Sequence, residues 1–184
     1  RVAYTTYQAV SGSGMKGKKD LAEGVNGKAP EAYPHPIYNN VLPHIDVFLE
    51  NGYTKEEQKM IDETRKILNA PDLKVTATCA RVPVQDSHSV EIDVTLDKEA
   101  TAEDIKALFD QDDRVVLVDN PENNEYPMAI NSTNKDEVFV GRIRRDDSLE
   151  NTFHVWCTSD NLLKGAALNA VQVLEQVMRL KGAN

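Results

Sequence analysis

Hydrophobic and polar positions alternate with a period of two in several short segments of the chain and recur at helical spacing in others. Residues 89–96 alternate most regularly, with Val90, Ile92, Val94 and Leu96 on one side, which is typical of a strand with one buried face. Segments rich in β-branched and aromatic residues predict further strands. These lie at residues 2–10, 74–84, 115–118, 137–145 and 153–158.

Start signals and apolar faces predict the helices. Thr54 with Glu57 three residues later forms the pattern of a capping box, and the apolar face that follows ends before Pro71. A second helix begins at Thr101, with Asp104 in its first turn. A third is predicted over residues 161–180 and a short one over 20–26.

Glycine and proline mark the irregular segments. Residues 11–19, with the sequence SGSGMKGKK, are predicted to form a flexible turn followed by basic residues. Four prolines between residues 27 and 43 exclude a regular helix there.

The order of these elements is β-α-β-β-α-β-β-β-α, and several strands follow one another directly. This order predicts a single α+β domain over residues 1–184, with a mixed, largely antiparallel sheet and helices on one face. An exposed apolar sheet face is unstable in water, so we expect a second subunit or another domain to cover the other face.

Composition narrows the function classes. The chain has 184 residues with 21 Lys+Arg and 30 Asp+Glu, a net charge of -9, which argues against nucleic acid and anionic membranes as partners. It has no apolar stretch long enough to span a membrane and no secretory signal. Two cysteines are too few for a framework of disulfides, so we expect the protein in the reducing cytoplasm. A chain that opens inside a strand without Met is typical of a piece of a longer protein.

Arg81 and His88 lie at the two ends of a predicted turn, in the segment RVPVQDSHS. A hairpin would bring both side chains to one end of the sheet, where a guanidinium can hold a carboxylate and an imidazole can exchange protons near pH 7. The alternative, which spacing alone favours, is a surface arginine and an ordinary turn histidine.

Glu56 and Lys59 lie one helical turn apart on the helix that begins at Thr54. They form either an opposite-charge site for a zwitterionic or phosphate-bearing substrate, or a solvated pair that stabilises the helix by about 0.2–0.5 kcal/mol. Without other information the solvated pair is the more frequent case.

The passage TYQAVSGSG carries Gln8 at the end of a predicted strand, where its amide can bind a substrate, and glycines at positions 12 and 14. These glycines suit a sharp turn or a close approach of the backbone. Their spacing fits neither a P-loop nor a Rossmann glycine motif.

Arginines 142, 144 and 145 lie on a predicted strand, and alternation places the first two on one face. Ion pairing, a subunit contact and an anion site are all open, and ion pairing is favoured. His35, His44 and His154 lack the spacing of a zinc site, and the two cysteines form no C-x-x-C pair. No metal is therefore expected, and both cysteines are expected as small buried residues.

Six segments, in order and covering nearly the whole chain, closely resemble the carboxy-terminal half of the aspartate-semialdehyde dehydrogenases of bacterial and archaeal type. They are TYQAVSGSG, residues 39–59, TATCARVPVQDSHS, residues 119–131, EVFVGRIRRD and residues 159–172. The resemblance implies the catalytic and dimerisation domain of an enzyme whose other domain is a Rossmann domain.

That family reduces β-aspartyl phosphate to aspartate β-semialdehyde with NADPH and releases phosphate. A cysteine attacks the acyl phosphate and the resulting thioester accepts hydride. The product enters lysine, methionine and threonine biosynthesis, and diaminopimelate biosynthesis in bacteria. The resemblance also implies a cytoplasmic homodimer, with NADP bound mainly by the Rossmann domain.

The resemblance assigns substrate and catalytic roles to five residues. Gln8 matches the substrate-positioning glutamine and His88 the general acid/base. Arg81 matches the arginine that binds the substrate carboxylate. Glu56 and Lys59 match the pair that binds the substrate amino group and phosphate, respectively.

Ser11 and Gly12 match the turn that touches NADP, and Asn161 matches a position near the nicotinamide. In the family the nucleophilic cysteine lies upstream of TYQAVSGSG, and neither Cys79 nor Cys157 matches it. We therefore expect half an active site, inactive alone. The alternative is a stand-alone, non-catalytic dimerisation or ligand-binding module derived from this family.

Overall fold

A six-stranded mixed sheet is the frame of the computed structural model, which describes residues 1–182. Its strands are β1 (Val2–Gln8), β2 (Val75–Arg81), β3 (His88–Thr95), β4 (Val115–Leu117), β5 (Val138–Arg145) and β6 (Thr152–Ser159). The helices are α1 (Gly14–Gly24), α2 (Lys55–Ile67), α3 (Ala102–Asp110), α4 (Ala129–Ser132) and α5 (Leu168–Leu180). Short 3₁₀ turns occupy Val10–Ser13 and Pro121–Asn123.

The strand order across the sheet is β2-β1-β3-β6-β5-β4. The outer pairs β1–β2 and β4–β5 are parallel and the three inner pairs are antiparallel. The predicted α+β class with a mixed, largely antiparallel sheet is therefore confirmed. The same topology brings the ends of β1 and β2 and the start of β3 together at one end of the strands, where Gln8 pairs with Arg81.

Helices α2 and α3 cover one face of the sheet, and both begin with a capping box, which the sequence predicted for α2. The Thr54 hydroxyl accepts from the Glu57 backbone N–H at 3.3 Å while the Glu57 carboxylate accepts from the Thr54 N–H at 2.7 Å. The apolar core lies between α3 and the sheet. Its buried members are Ile105, Val140, Ile143, Phe153 and Val155.

The opposite face of the sheet carries polar and aromatic side chains together. The register places Thr5, Glu91 and Trp156 side by side on this face, and Tyr7 packs on Trp156 with ring centroids 5.4 Å apart. A β-bulge after Gly141 shifts the register. We call this surface the open sheet face.

The predicted flexible turn at residues 11–19 is also wrong, because the chain there forms a 3₁₀ turn and then α1. Tertiary contacts override the poor helix propensity of the glycines. A Cβ at Gly17 would lie 2.6 Å from both the Val10 carbonyl and the Tyr33 hydroxyl. Asp20 then anchors the following loop by accepting the backbone N–H groups of Glu31 and Ala32.

The helix predicted over residues 161–180 is divided into two parts. Asp160 holds a turn by accepting the N–H groups of Leu162 and Leu163 at 2.8 and 3.2 Å. A π-helical stretch over Leu163–Ala167 contains Ala166 in a non-helical conformation, and only then does α5 begin. No residue of α5 is buried in the described chain, so the third predicted helix does not contribute to covering the sheet.

Candidate active site

The predicted site residues meet at the end of the sheet where β1 finishes, around the peptide groups of Ala9. The Ala9 N–H donates to Nδ1 of His88 at 3.0 Å, and the Ala9 carbonyl accepts from Nη1 of Arg81 at 2.7 Å. Ala9 itself is fully buried. One residue's backbone therefore fixes both side chains that the sequence singled out as a pair.

Arg81 is a buried cation without an ion-pair partner. Its side chain lies at the end of β2 and only 6% of the residue is exposed. Burial lowers the pKa of its guanidinium, and it forms no salt bridge within residues 1–182. A buried charge is costly unless it is paired, so the remaining guanidinium donors suit a bound carboxylate, which they can hold in two parallel hydrogen bonds.

His88, the first residue of β3, is held as a neutral imidazole. Burial is the main cause that lowers its pKa, to about 4, and the positive charge of Arg81 adds to the effect. The carboxylates of Glu56 and Asp160 and the Ser87 carbonyl act in the opposite direction with a smaller effect. At neutral pH the ring is therefore uncharged.

The first turn of α2 places Glu56 against this edge of the sheet. Its carboxylate accepts from the Gln8 amide at 3.4 Å and from the Lys59 ammonium at 3.3 Å. Gln8 also donates to the Thr6 hydroxyl at 3.3 Å. The Lys59 side chain is 54% exposed and the Glu56 side chain 22%, so the pair lies at the mouth of the site with its charges available to a ligand.

Asn161, in the turn after β6, closes the site from the other side. Its Oδ1 atom accepts from the Ser11 hydroxyl at 3.1 Å and from the Ser87 backbone N–H at 3.0 Å. Ser87 has a positive φ of 70°, and its hydroxyl lies 2.9 Å from that of Thr133. With its oxygen occupied, Asn161 presents its amide N–H₂ group as a donor.

Gly12 lets the backbone lie close to Arg81 and His88. A Cβ at this position would lie 3.0 Å from Nη1 of Arg81 and 3.6 Å from Cε1 and Nε2 of His88. The structure thus brings together all eight predicted site residues through direct contacts or shared neighbours.

Neither cysteine is suited to nucleophilic attack. Cys79 is fully buried, with its Sγ atom 3.6 Å from Sδ of Met60. Burial raises the pKa of both the Cys79 and the Cys157 thiols to about 11. Both side chains are therefore protonated at neutral pH, and of the two expected buried cysteines Cys79 is buried and Cys157 partly buried.

His154 joins a cluster of charges on the open sheet face that its sequence spacing did not predict. Potential ligand atoms of Asp93, Asp146 and His154 lie within 4.8 Å of one another. Arg1 pairs with Asp93 at 2.7 Å, and Glu91 contacts Nδ1 of His154 at 2.7 Å. The cluster is thus connected by an ion pair and a hydrogen bond between its own members.

Two backbone positions in the site were missed by the sequence analysis. Ala9 and Ser87 act through N–H groups, which every residue except proline carries, so their side chains give no signal. Only the folded backbone reveals that they donate to His88 and Asn161, respectively.

Solved structures share this fold. The chain matches the structure of aspartate semialdehyde dehydrogenase II from Vibrio cholerae with a TM-score of 0.90 and 39% identity, over 97% of this chain and 55% of that chain. It also matches the fold of the Candida albicans enzyme, crystallised with NADP, with a TM-score of 0.69 and 24% identity, over 100% of this chain and 51% of that one. The fold is that of a dehydrogenase domain.

The family model described as semialdehyde dehydrogenase, dimerisation domain, matches residues 1–164. That range contains all six strands and every predicted site residue. The chain therefore belongs to the semialdehyde dehydrogenase family, as the sequence resemblance implied.

Curated relatives agree with this assignment. The aspartate-semialdehyde dehydrogenase of Aquifex aeolicus is 47% identical over 186 residues, which cover 97% of this chain and 55% of that protein. The chain spans about half the length of the curated relatives it matches. No helix within residues 1–182 combines the length and apolarity needed to cross a lipid bilayer.

The depressed pKa of His88 predicts how stability depends on pH. Because the pKa of about 4 lies below the ordinary value of 6.5, the unfolded chain binds this proton more readily than the folded chain. The free energy of unfolding should therefore fall as pH is lowered from about 6.5 toward 4, by at most about 1.4 kcal/mol per pH unit from this group.

Urea unfolding of the unsubstituted chain and of His88→Gln at pH 7, 6, 5 and 4 measures this contribution. Carboxylates titrate in both proteins, so the difference between the two slopes isolates His88. Parallel pH dependences would show that His88 does not resist protonation.

Proposed function

We propose that this chain is the substrate-binding and dimerisation half of an NADP-dependent aspartate-semialdehyde dehydrogenase of the cytoplasm. The proposed reaction reduces β-aspartyl phosphate to aspartate β-semialdehyde and releases phosphate, for lysine, methionine, threonine and diaminopimelate biosynthesis. The names of the relatives support this activity, and the site supports the class of substrate.

The observation that carries the proposal is the buried guanidinium of Arg81 beside a neutral His88, both fixed on the Ala9 backbone. An unpaired cation at 6% exposure fits an anionic group of a ligand. The imidazole beside it places a polar N–H group where that ligand would react.

The charges around the site suit an amino acid that carries a phosphate. Arg81 would hold the α-carboxylate, the Glu56 carboxylate the amino group, and the Lys59 ammonium the phosphate. Glu56 already accepts two hydrogen bonds from Gln8 and Lys59, so a substrate ammonium would exchange for one of them. Three charged contacts also disfavour neutral aldehydes, which would leave these groups unpaired.

Ser11, Gly12 and Asn161 suit contacts with the amide group of a nicotinamide. Gly12 lets the backbone lie close to His88. The Asn161 oxygen is held by Ser11 and Ser87, and within residues 1–182 the amide N–H₂ group of Asn161 makes no hydrogen bond. When bound, NADPH would supply the hydride. We propose that Ser11, Gly12 and Asn161 contribute this end of the site and that most NADP contacts come from a Rossmann domain outside this chain.

We propose that the nucleophilic cysteine also lies outside this chain. Cys79 and Cys157 are protonated at neutral pH, each with a pKa of about 11, and Cys79 is inaccessible. The residues described here would bind and orient the substrate for a nucleophile supplied by the rest of the protein.

The open sheet face is the proposed surface for a homodimer. Aromatic and charged side chains alternate on it, and a cavity of about 580 Å³ is lined there by Trp156, Arg142, Arg144 and Glu91 among others. Arginine and aromatic residues are enriched at protein interfaces, and the description of the family model as a dimerisation domain supports the same assignment.

Activity of the full-length protein that contains this chain tests the proposed reaction. We expect phosphate-dependent reduction of NADP with aspartate semialdehyde, followed at 340 nm, and no turnover by residues 1–184 alone at the same molar concentration. Turnover by the isolated chain that Cys79→Ala or Cys157→Ala abolishes would contradict the external nucleophile. No turnover by the full-length protein would favour the non-catalytic ligand-binding module.

Arg81→Lys should impair the full-length enzyme without unfolding it. Lysine keeps the positive charge but loses the planar fork that binds a carboxylate through two hydrogen bonds. Loss of one charge-assisted hydrogen bond costs about 1.5–3 kcal/mol, roughly a ten- to hundredfold fall in kcat/KM. Arg65→Lys on α2 is the matched control, since within residues 1–182 the Arg65 side chain donates only to the Leu73 carbonyl. Full activity in Arg81→Lys, or a loss that simply follows a lower melting temperature, would contradict the assignment.

A charge reversal on the open sheet face should weaken the homodimer. Sedimentation velocity at micromolar concentration should show a dimer for the unsubstituted chain and a shift toward monomer for Arg144→Glu. Lys66→Glu, an exposed residue on α2, should leave the dimer intact. A monomeric unsubstituted chain, or equal behaviour of both variants, would contradict this surface as the interface.

A further inference from the structure

We propose that Arg142 of one copy of this chain binds Glu91 of a second copy across the open sheet face, and that the buried carboxylate of Asp119 positions Arg142 for this contact. The contact rests on the proposed homodimer and specifies which charges pair between its two copies. The hold of Asp119 on the backbone is a property of the single chain and can be measured whatever the oligomeric state.

A β-bulge in β5 turns Arg142 outward. Arg142 and Ile143 together lie opposite the single residue Val155 of β6, which is the defining feature of a bulge. Gly141 pairs with Trp156 on the open sheet face, so strict alternation would turn the next residue, Arg142, toward the core. The extra residue leaves that place to Ile143, which is a buried member of the core, and Arg142 is exposed.

The carboxylate of Asp119 holds the bulge in place. Its Oδ1 atom accepts from the Arg142 N–H at 2.9 Å, and its Oδ2 atom accepts from the Ile143 N–H at 3.2 Å. The Asp119 side chain is only 2% exposed, and the ammonium of Lys106 on α3 lies 3.1 Å from Oδ2. A bulge interrupts the regular ladder of the sheet, and here one carboxylate accepts both of its N–H groups.

The bulge keeps Arg142 in a conformation that favours glycine. Its φ is +52°, and a side chain makes this region unfavourable. Nη1 of Arg144 donates to the Arg142 carbonyl at 3.0 Å, so the backbone is held on both sides of the strained residue. The Arg142 side chain itself forms no hydrogen bond or salt bridge within residues 1–182. Strained positions that their surroundings maintain are concentrated at functional sites, and an exposed cation left unpaired there suits an anion from outside the chain.

The open sheet face carries its charges in an order that is complementary to itself. In two successive rows across the strands, a carboxylate lies on β3, an aromatic ring on β6 and an arginine on β5. The rows are Glu91–Trp156–Arg142, which includes Arg142 through its neighbour Gly141, and Asp93–His154–Arg144. Opposite charges are therefore separated by the one strand β6.

A twofold axis along β6 brings opposite charges together. Rotation by 180° about an axis that runs parallel to β6, between two facing copies, places β5 of one copy over β3 of the other at the same height. Arg142 then faces Glu91 of the partner subunit, and the same contact is repeated by symmetry. Glu91 can accept it, because its Oε1 atom contacts His154 at 2.7 Å while Oε2 forms no hydrogen bond within residues 1–182. Asp93 already pairs with Arg1, so the Glu91 row is the one with a carboxylate oxygen to offer.

A second copy fits this surface better than a free anion does. Arg142 and Glu91 border the same cavity, and much of its wall is formed by apolar and aromatic side chains. Such a mixture of arginine with aromatic residues is typical of protein interfaces, whereas a free anion would leave the apolar wall uncovered. The description of the family model as a dimerisation domain agrees with this choice.

Exchange of the two charges in the full-length protein tests the contact. Arg142→Glu and Glu91→Arg each place like charges opposite one another, and each should raise the dimer Kd by roughly tenfold or more in sedimentation velocity. The variant with both substitutions restores opposite charges in exchanged places, so its Kd should return to within about threefold of the original value. Lys66→Glu on α2 controls for the change in net charge and should leave the Kd unchanged.

Three results would overturn the contact. They are an unchanged Kd in Arg142→Glu, a combined variant that dimerises no better than the single ones, and loss of inorganic phosphate binding in Arg142→Glu without a change in Kd. The last would show that the arginine serves a free anion. A monomeric unsubstituted protein would instead overturn the proposed homodimer, and the contact with it.

Amide hydrogen exchange tests the positioning by Asp119. In Asp119→Asn the side chain keeps its size but loses one acceptor oxygen and the ion pair with Lys106, so the amides of Arg142 and Ile143 should exchange at least about fivefold faster. Asp112→Asn is the matched control, because the hydrogen bonds of that carboxylate go to Arg114. Unchanged exchange in Asp119→Asn would overturn the positioning role.

The dimer Kd separates positioning of the arginine from general support of the fold. Asp119→Asn should raise the Kd at a temperature well below melting. In the background of Arg142→Gly, which removes the guanidinium and suits the positive φ, the same substitution should have no further effect on the Kd. An equal effect in both backgrounds would show that Asp119 does not act through Arg142 and would overturn this part of the proposal.

Discussion

The backbone of Ala9 joins the two side chains on which the site depends. Its N–H group orients His88 and its carbonyl orients Arg81, so a shift of this residue would move both together. The following amides continue the same connection, because Val10 and Ser11 donate to the carbonyls of Val84 and Gln85. The residues that directly follow β1 are therefore held against the segment that joins β2 and β3.

Buried carboxylates hold the other parts of the site against this edge. Glu57 accepts both the Thr54 N–H that caps α2 and the Cys79 N–H on β2, at 2.7 and 2.9 Å, which fixes the helix end that carries Glu56. Asp160 accepts the N–H groups of Asn134, Leu162 and Leu163 and so shapes the turn that carries Asn161. Buried acceptors satisfied by several backbone donors give well-defined positions, and they place charged and polar groups where a ligand can use them.

Sequence patterns predicted the elements whose signals are local. All six strands, the capping box at Thr54, the helix start at Thr101 and the α+β class follow from periodicity and capping. The turn predicted at residues 11–19 and the unbroken last helix were wrong because tertiary contacts decide there: close packing at Gly17 and the capping carboxylate of Asp160.

The site also divides into features that the sequence predicts and features that only the fold reveals. Residue type and spacing singled out Arg81, His88, Glu56, Lys59, Gln8 and Gly12 as candidates, and the resemblance gave them roles and added Ser11 and Asn161. The charge state of His88 and the role of the Ala9 backbone were not predictable, since both depend on burial and on the register between strands. Backbone donors look alike in any sequence, and only the fold shows which one is aimed at an imidazole.

Amide hydrogen exchange at Ala9 tests this connection most directly. In the unsubstituted chain the Ala9 amide should be protected, and His88→Ala should raise its exchange rate by roughly fivefold, as expected when one hydrogen bond worth about 1 kcal/mol is lost. The amides of Val10 and Ser11, which donate to Val84 and Gln85, should keep their rates. Fast exchange at Ala9 before substitution, or an unchanged rate in His88→Ala, would contradict the account.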